Sequence, residues 1–120
     1  MNTSDIEKSL RKLMREECRY SREAYLFVAD AVTYTASHLE VHRHLSALEL
    51  LEGAKRFGKS KFGCLSDMVL NSWGLVSGKD VGNVVYLLIG EGILSASDDD
   101  DIEDFNVDFS FAEDSVPEAR

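Results

Sequence analysis

Proline is almost missing from this chain. Pro117 is the only one in 120 residues, so no residue before it breaks a helix by removing an N–H and crowding the preceding turn. Cysteine is nearly as scarce. Cys18 and Cys64 stand far apart in apolar settings, which excludes a disulfide framework and reads as two reduced, buried thiols of a cytoplasmic protein. No apolar run approaches the length that spans a bilayer, which argues against a membrane partner. The opening M-N-T-S-D-I-E-K is amphipathic and has no signal-peptide core. A phosphate loop is also not expected: Gly58-Lys59-Ser60 supplies a G-K-S ending, but no strand is predicted ahead of it.

Acid is in excess, and only at one end. The formal net charge is −9, yet residues 98–120 hold ten carboxylates against Arg120 alone, while residues 1–97 carry twelve acids and twelve bases. The body is therefore neutral, and the acidic balance belongs to the C-terminal segment. A hydrophobic fraction of 44% and a length of 120 residues suit one folded domain with a single core.

Helix signals follow one another along the chain. Ser4-Asp5-Ile6-Glu7 reads as a capping box for a first helix ending near Glu17, with Ile6, Leu10, Leu13 and Met14 at helical spacing. Ser21 caps a second helix over 22–38, whose stripe Tyr25, Val28, Ala29, Val32 and Ala36 is wide enough for a central position. Ser46-Ala47-Leu48-Glu49 is another capping box, and Gly58 is the expected stop of the third helix. A fourth helix covers about 61–72 with Leu65, Met68 and Val69 inward. Ser77 caps a fifth, with Asp80 in its first turn and Val81, Val84, Val85, Leu88 and Ile89 as its stripe.

Beyond Gly92, Ile93-Leu94-Ser95-Ala96 reads as a strand. Phe105, Val107, Phe109 and Phe111 alternate with polar residues as a returning strand should, across an acidic turn from Asp98 to Asp104. From Phe62 to Phe111 this is the element order of a winged helix-turn-helix. The fold class expected is mainly α (α+β): about five helices with a C-terminal β-hairpin and a winged-helix-like second half. Residues 1–111 form one domain, and 112–120 a disordered acidic tail.

An ordered series of short motifs runs over roughly residues 5–110. It comprises Arg19-Tyr20, Ala24-Tyr25, His44-Leu45-Ser46 through Glu49-Leu50-Leu51-Glu52-Gly53, and Phe62-Gly63. It continues with Asn71-Ser72-Trp73-Gly74, Asp80-Val81-Gly82, Gly92-Ile93-Leu94-Ser95 and Asp104-Phe105. In this series the chain resembles an uncharacterised bacterial family of short cytoplasmic proteins. The resemblance implies no assigned activity and carries over no catalytic or binding residue.

Charge argues against DNA. A recognition helix presents Arg, Lys, Asn or Gln to base edges and needs further cations on phosphates. The outward residues expected for helix five are Lys79, Gly82, Asn83, Tyr86 and Glu91, and the wing would be aspartate-rich. The cations Lys55, Arg56, Lys59 and Lys61 are the main group available for nucleic acid, and their simpler reading is as complements to a helix C-terminus.

Catalysis lacks a constellation. Cys64 is expected inside an apolar helix, where a thiol is inert, and the aspartate run lacks the turn glycine and closing glutamate of a calcium loop. His38, His42 and His44, with Glu40 among them, could offer ligands to zinc. A structural site needs a fourth ligand, and neither cysteine has the spacing of a zinc pair. No enzyme activity, metal or other cofactor is expected. The remaining reading is a regulatory or protein–protein interaction module with an unidentified protein partner. Its contact residues would be Phe105, Val107 and Phe109 on an exposed sheet edge, with Asp98 and Asp101 selecting basic partners; equally, Phe105, Val107, Phe109 and Phe111 would simply cover the helical core while the aspartates keep an edge soluble. The alternative is a DNA-binding transcriptional regulator of the winged helix-turn-helix type.

Overall fold

The computed structural model describes residues 3–40, 45–95 and 102–111. Among these the chain is all-helical. It forms α1 (Thr3–Glu16), α2 (Arg22–Ser37), α3 (Ala47–Phe62), a 3₁₀ turn (Gly63–Leu65), α4 (Ser66–Ser72), α5 (Gly78–Gly90) and a second 3₁₀ turn (Ile102–Phe105). The expected β-hairpin is not there, no strand occurs among the described residues, and the winged-helix reading of the second half falls with it.

Three serines set the helix starts as their side chains predict. Ser21 accepts from the Ala24 N–H, while Ser46 with Glu49 and Ser77 with Asp80 form complete capping boxes. The box expected at Ser4 differs. Its helix already begins at Thr3, and Glu7 is bound instead by Arg22, whose Nε lies 3.2 Å from Oε1.

α2 is the central helix. Ala24, Tyr25, Val28 and Ala31 are fully buried, and Phe27 nearly so. It runs antiparallel to α3, because Thr35 meets Gly53 while Phe27 meets Phe57 further along, with ring centroids 5.3 Å apart. A Cβ at Gly53 would sit 1.8 Å from Thr35 Oγ1, so only glycine permits this approach. The Thr35 hydroxyl is meanwhile satisfied within α2 by the Ala31 carbonyl at 2.7 Å. Leu10 and Leu13 of α1 and Val81, Val84 and Leu88 of α5 complete the core. Each such side chain removed from water contributes about 1.5–3 kcal/mol before the entropy of ordering it is charged against it.

The third helix does not stop at Gly58. It continues to Phe62 and ends at Gly63, whose φ of +61° with ψ of −138° is a backbone conformation that side chains with a Cβ rarely adopt. Gly58 is instead a contact point, where a Cβ would lie 2.8 Å from Ser66 Oγ and 3.1 Å from Leu70. This inverts the expected phase of the fourth helix. Ser66 and Leu70 face inward, whereas Leu65 and Met68, read as core, are exposed. Cys18 and Cys64 are likewise exposed rather than buried: Cys18 lies in the turn after α1 and Cys64 in the 3₁₀ turn before α4.

The hairpin fails for two physical reasons. First, Gly92 adopts φ +77° and closes α5 with its N–H donated to the Ile89 carbonyl, while Ile93 N–H reaches back to Leu88. This is a Schellman closure, and the apolar residue after its glycine packs against the helix it ends rather than starting a strand. Second, the aromatics of 105–111 reach the helical core directly. Phe105 is buried against Gly82, where a Cβ would stand 2.7 Å from its own Cβ, and Phe111 meets Phe27 edge to face at 6.2 Å. Phe109 is half-buried and touches Phe111 at 5.0 Å, and Val107 is exposed. The period-2 pattern therefore describes an apolar strap on the helices, with no partner strand and no sheet edge among the described residues.

Candidate interaction surface

Two arrangements of polar and apolar groups stand out. One is a junction where the turn between α1 and α2 meets the start of α5. Tyr20 is 2% exposed, and its hydroxyl donates to Asp80 Oδ1 at 2.8 Å while accepting from Asn83 Nδ2 at 3.0 Å. Asp80 Oδ2 takes the Val76 and Ser77 N–H groups, both at 3.1 Å, and the Ser77 hydroxyl at 3.2 Å. Burial pushes the Asp80 carboxyl up, but the Tyr20 hydroxyl and the Ser77 and Val76 backbone donors outweigh it and hold the carboxyl below its ordinary range. Burial pushes the Tyr20 hydroxyl up to about 12, with the Asp80 carboxylate adding to the shift.

The same junction explains Gly74. Trp73 and Gly74 end α4 with a second Schellman closure, Leu75 N–H bonding the Leu70 carbonyl, and Gly74 has φ +100°. The Arg19 carbonyl lies where a Cβ would be only 2.1 Å away, and Ser21 N–H bonds the Trp73 carbonyl at 3.1 Å. Four stretches far apart in the sequence thus converge here: Arg19-Tyr20, Trp73-Gly74, Asp80-Val81-Gly82 and, through Gly82, Asp104-Phe105. Every polar group of the Tyr20 network faces another part of the chain. The Ser77 hydroxyl does lie beside the Asp80 carboxylate, but that carboxylate also takes Tyr20 and two backbone N–H groups, so the arrangement ties turns together.

The other arrangement lies on the outside. α4 buries Ser66 and Leu70 on α3, and Met68, about half a turn from each, faces away from it, while Leu65 of the preceding 3₁₀ turn is also exposed; they are 65% and 54% exposed. Just upstream, residues 53–66 contain Lys55, Arg56, Lys59 and Lys61 and no carboxylate. Arg56, Lys59 and Lys61 are exposed, and the Lys61 ammonium sits 5.3 Å above the Phe57 ring. Ordinary helical rise puts Arg56 only about 9 Å along the axis from the end of α3. At about 100° per residue Arg56 and Lys59 share one side of α3 and Lys61 lies on another, so the cations precede the apolar pair in the chain without forming one face.

The other candidates are dispersed. Phe105, Val107 and Phe109 belong to the apolar strap, and Asp98 and Asp101 lie outside the described residues, as do His42 and His44. His38 stacks on Tyr34 with centroids 4.5 Å apart, its Nδ1 2.7 Å from the Tyr34 carbonyl oxygen, which can only accept. Among the described residues no group of three or more His, Cys, Asp or Glu is placed to hold a metal ion, and no helix is long and apolar enough to cross a membrane. The face of α5 expected to read bases is largely used up. Gly82 lies under Phe105, Asn83 is bound to Tyr20, and Glu91 is paired with Lys12 at 2.8 Å.

One pattern was missed in the sequence. Gly53 stands five residues before Gly58, so 53–60 spells the full G-x-x-x-x-G-K-S of a phosphate loop. The letters mislead. All eight residues lie inside α3, with both glycines buried in helix contacts. A phosphate loop needs its amides turned toward the ligand ahead of a helix start, whereas the interior of a helix spends them on its own carbonyls.

No family model, curated protein or solved structure matches this chain.

Proposed function

We propose that this chain is a non-enzymatic protein-interaction module that engages its partner through the outward face of the Gly63–Leu65 turn and α4. The observation that carries this reading is the exposure of Leu65 and Met68 opposite a fully buried Ser66 and Leu70. A short helix held rigidly on its inner face offers two apolar side chains at little entropic cost to a partner. Methionine adapts readily to different apolar surfaces. The expected sheet-edge mode of binding has no strand to use and is replaced by this helical face. Two exposed cysteines with no disulfide suit the reducing conditions of the cytoplasm.

The rival reading, a DNA-binding regulator, has four clustered cations in its favour and a net charge of −9 against it. Immobilised wild-type protein and the Leu65→Asp/Met68→Glu variant are compared for proteins retained from a bacterial lysate, with random duplex DNA titrated in parallel. Retention that depends on the two apolar residues is expected. Duplex binding that falls steeply with salt, without protein retention, would overturn the reading in favour of DNA.

A further inference from the structure

We draw no further inference here: the strongest candidate, the exposed apolar patch of Leu65 and Met68 on the outward side of the Gly63–Leu65 turn and α4, belongs to the surface already described, and nothing in the structure shows what covers it.

Discussion

Replacing Tyr20 by phenylalanine removes one oxygen and keeps the buried ring, which isolates the junction's polar chemistry from its packing. The lost hydroxyl is 2.8 Å from a carboxylate and 3.0 Å from an amide donor. A hydrogen bond to a charged group is worth about 1.5–3 kcal/mol net, and stranding its partner costs a similar amount when water cannot reach it. Asp80 and Asn83 are only half-buried, so water partly replaces the hydroxyl and the cost falls near the lower end, about 2 kcal/mol. For a chain of this length each kcal/mol moves the melting temperature by roughly 4 °C, so Tyr20→Phe melts about 8 °C below wild type. Calorimetry on Tyr20→Phe, Asp80→Asn and the double variant gives the coupling directly. Singles that add, or a Tyr20→Phe variant within about 0.5 kcal/mol of wild type, refute the junction as a stabilising network.

Other perturbations follow from the same contacts. Gly74→Ala and Gly63→Ala both place a side chain at positive φ, but only the first collides with a backbone carbonyl, at 2.1 Å from Arg19. Chemical denaturation should show about 1–3 kcal/mol lost to backbone strain at Gly63 and clearly more at Gly74, and equal losses would contradict the close approach. Ser66 Oγ is buried against Gly58 without a hydrogen-bond partner. Ser66→Ala is expected to leave stability unchanged or raise it by up to about 1 kcal/mol, and a marked loss in urea titration would reveal a partner for that hydroxyl. Stability should also depend on pH at both ends. Asp80 has a lowered folded pKa, so its contribution is present above the ordinary value of 3.8 and is lost as pH falls through the folded value. Tyr20 and Tyr25 are pushed by burial from 10.0 up to about 12, so their contribution is present below pH 10.0 and is lost as pH rises toward about 12. Melting curves across both windows check this, and Tyr20→Phe should blunt the dependence in each.

Helix starts were legible in the sequence because a cap is a local device: Ser21, Ser46 and Ser77 each act on an N–H three residues away. Helix ends and faces were less so. Gly58 and Gly63 carry the same letter, and only the packing of Ser66 and Leu70 on α3 decides which one is a contact and which a stop. The phase of α4 failed with them, since in L-S-D-M-V-L-N-S neither set of apolar positions is privileged until α3 is in place. The strap was misread as a strand because alternating apolar letters do not say what covers them; Phe105 and Phe111 reach the helical core, as the core-covering alternative expects, while Val107 stays exposed. Ile93 after Gly92 had a legible signal. Glycine followed by an apolar residue at a helix end is the Schellman pattern, and Gly74-Leu75 repeats it. The Tyr20 network joins residues 60 and more positions apart and had no local signature beyond the Ser77–Asp80 cap. The outward face of Leu65 and Met68 was hidden by the error in helix phase, so the surface proposed for binding was read from the sequence as core.

The most direct test of that surface is a map of backbone amide shifts in the isotopically labelled chain as a protein that it retains from the lysate is added. Shifts concentrated between Arg56 and Ser72, and lost in the Leu65→Asp/Met68→Glu variant, are the expected result. Shifts centred on the Ile102–Phe111 strap or the Tyr20 junction, or none when the retained protein is saturating, would contradict the account.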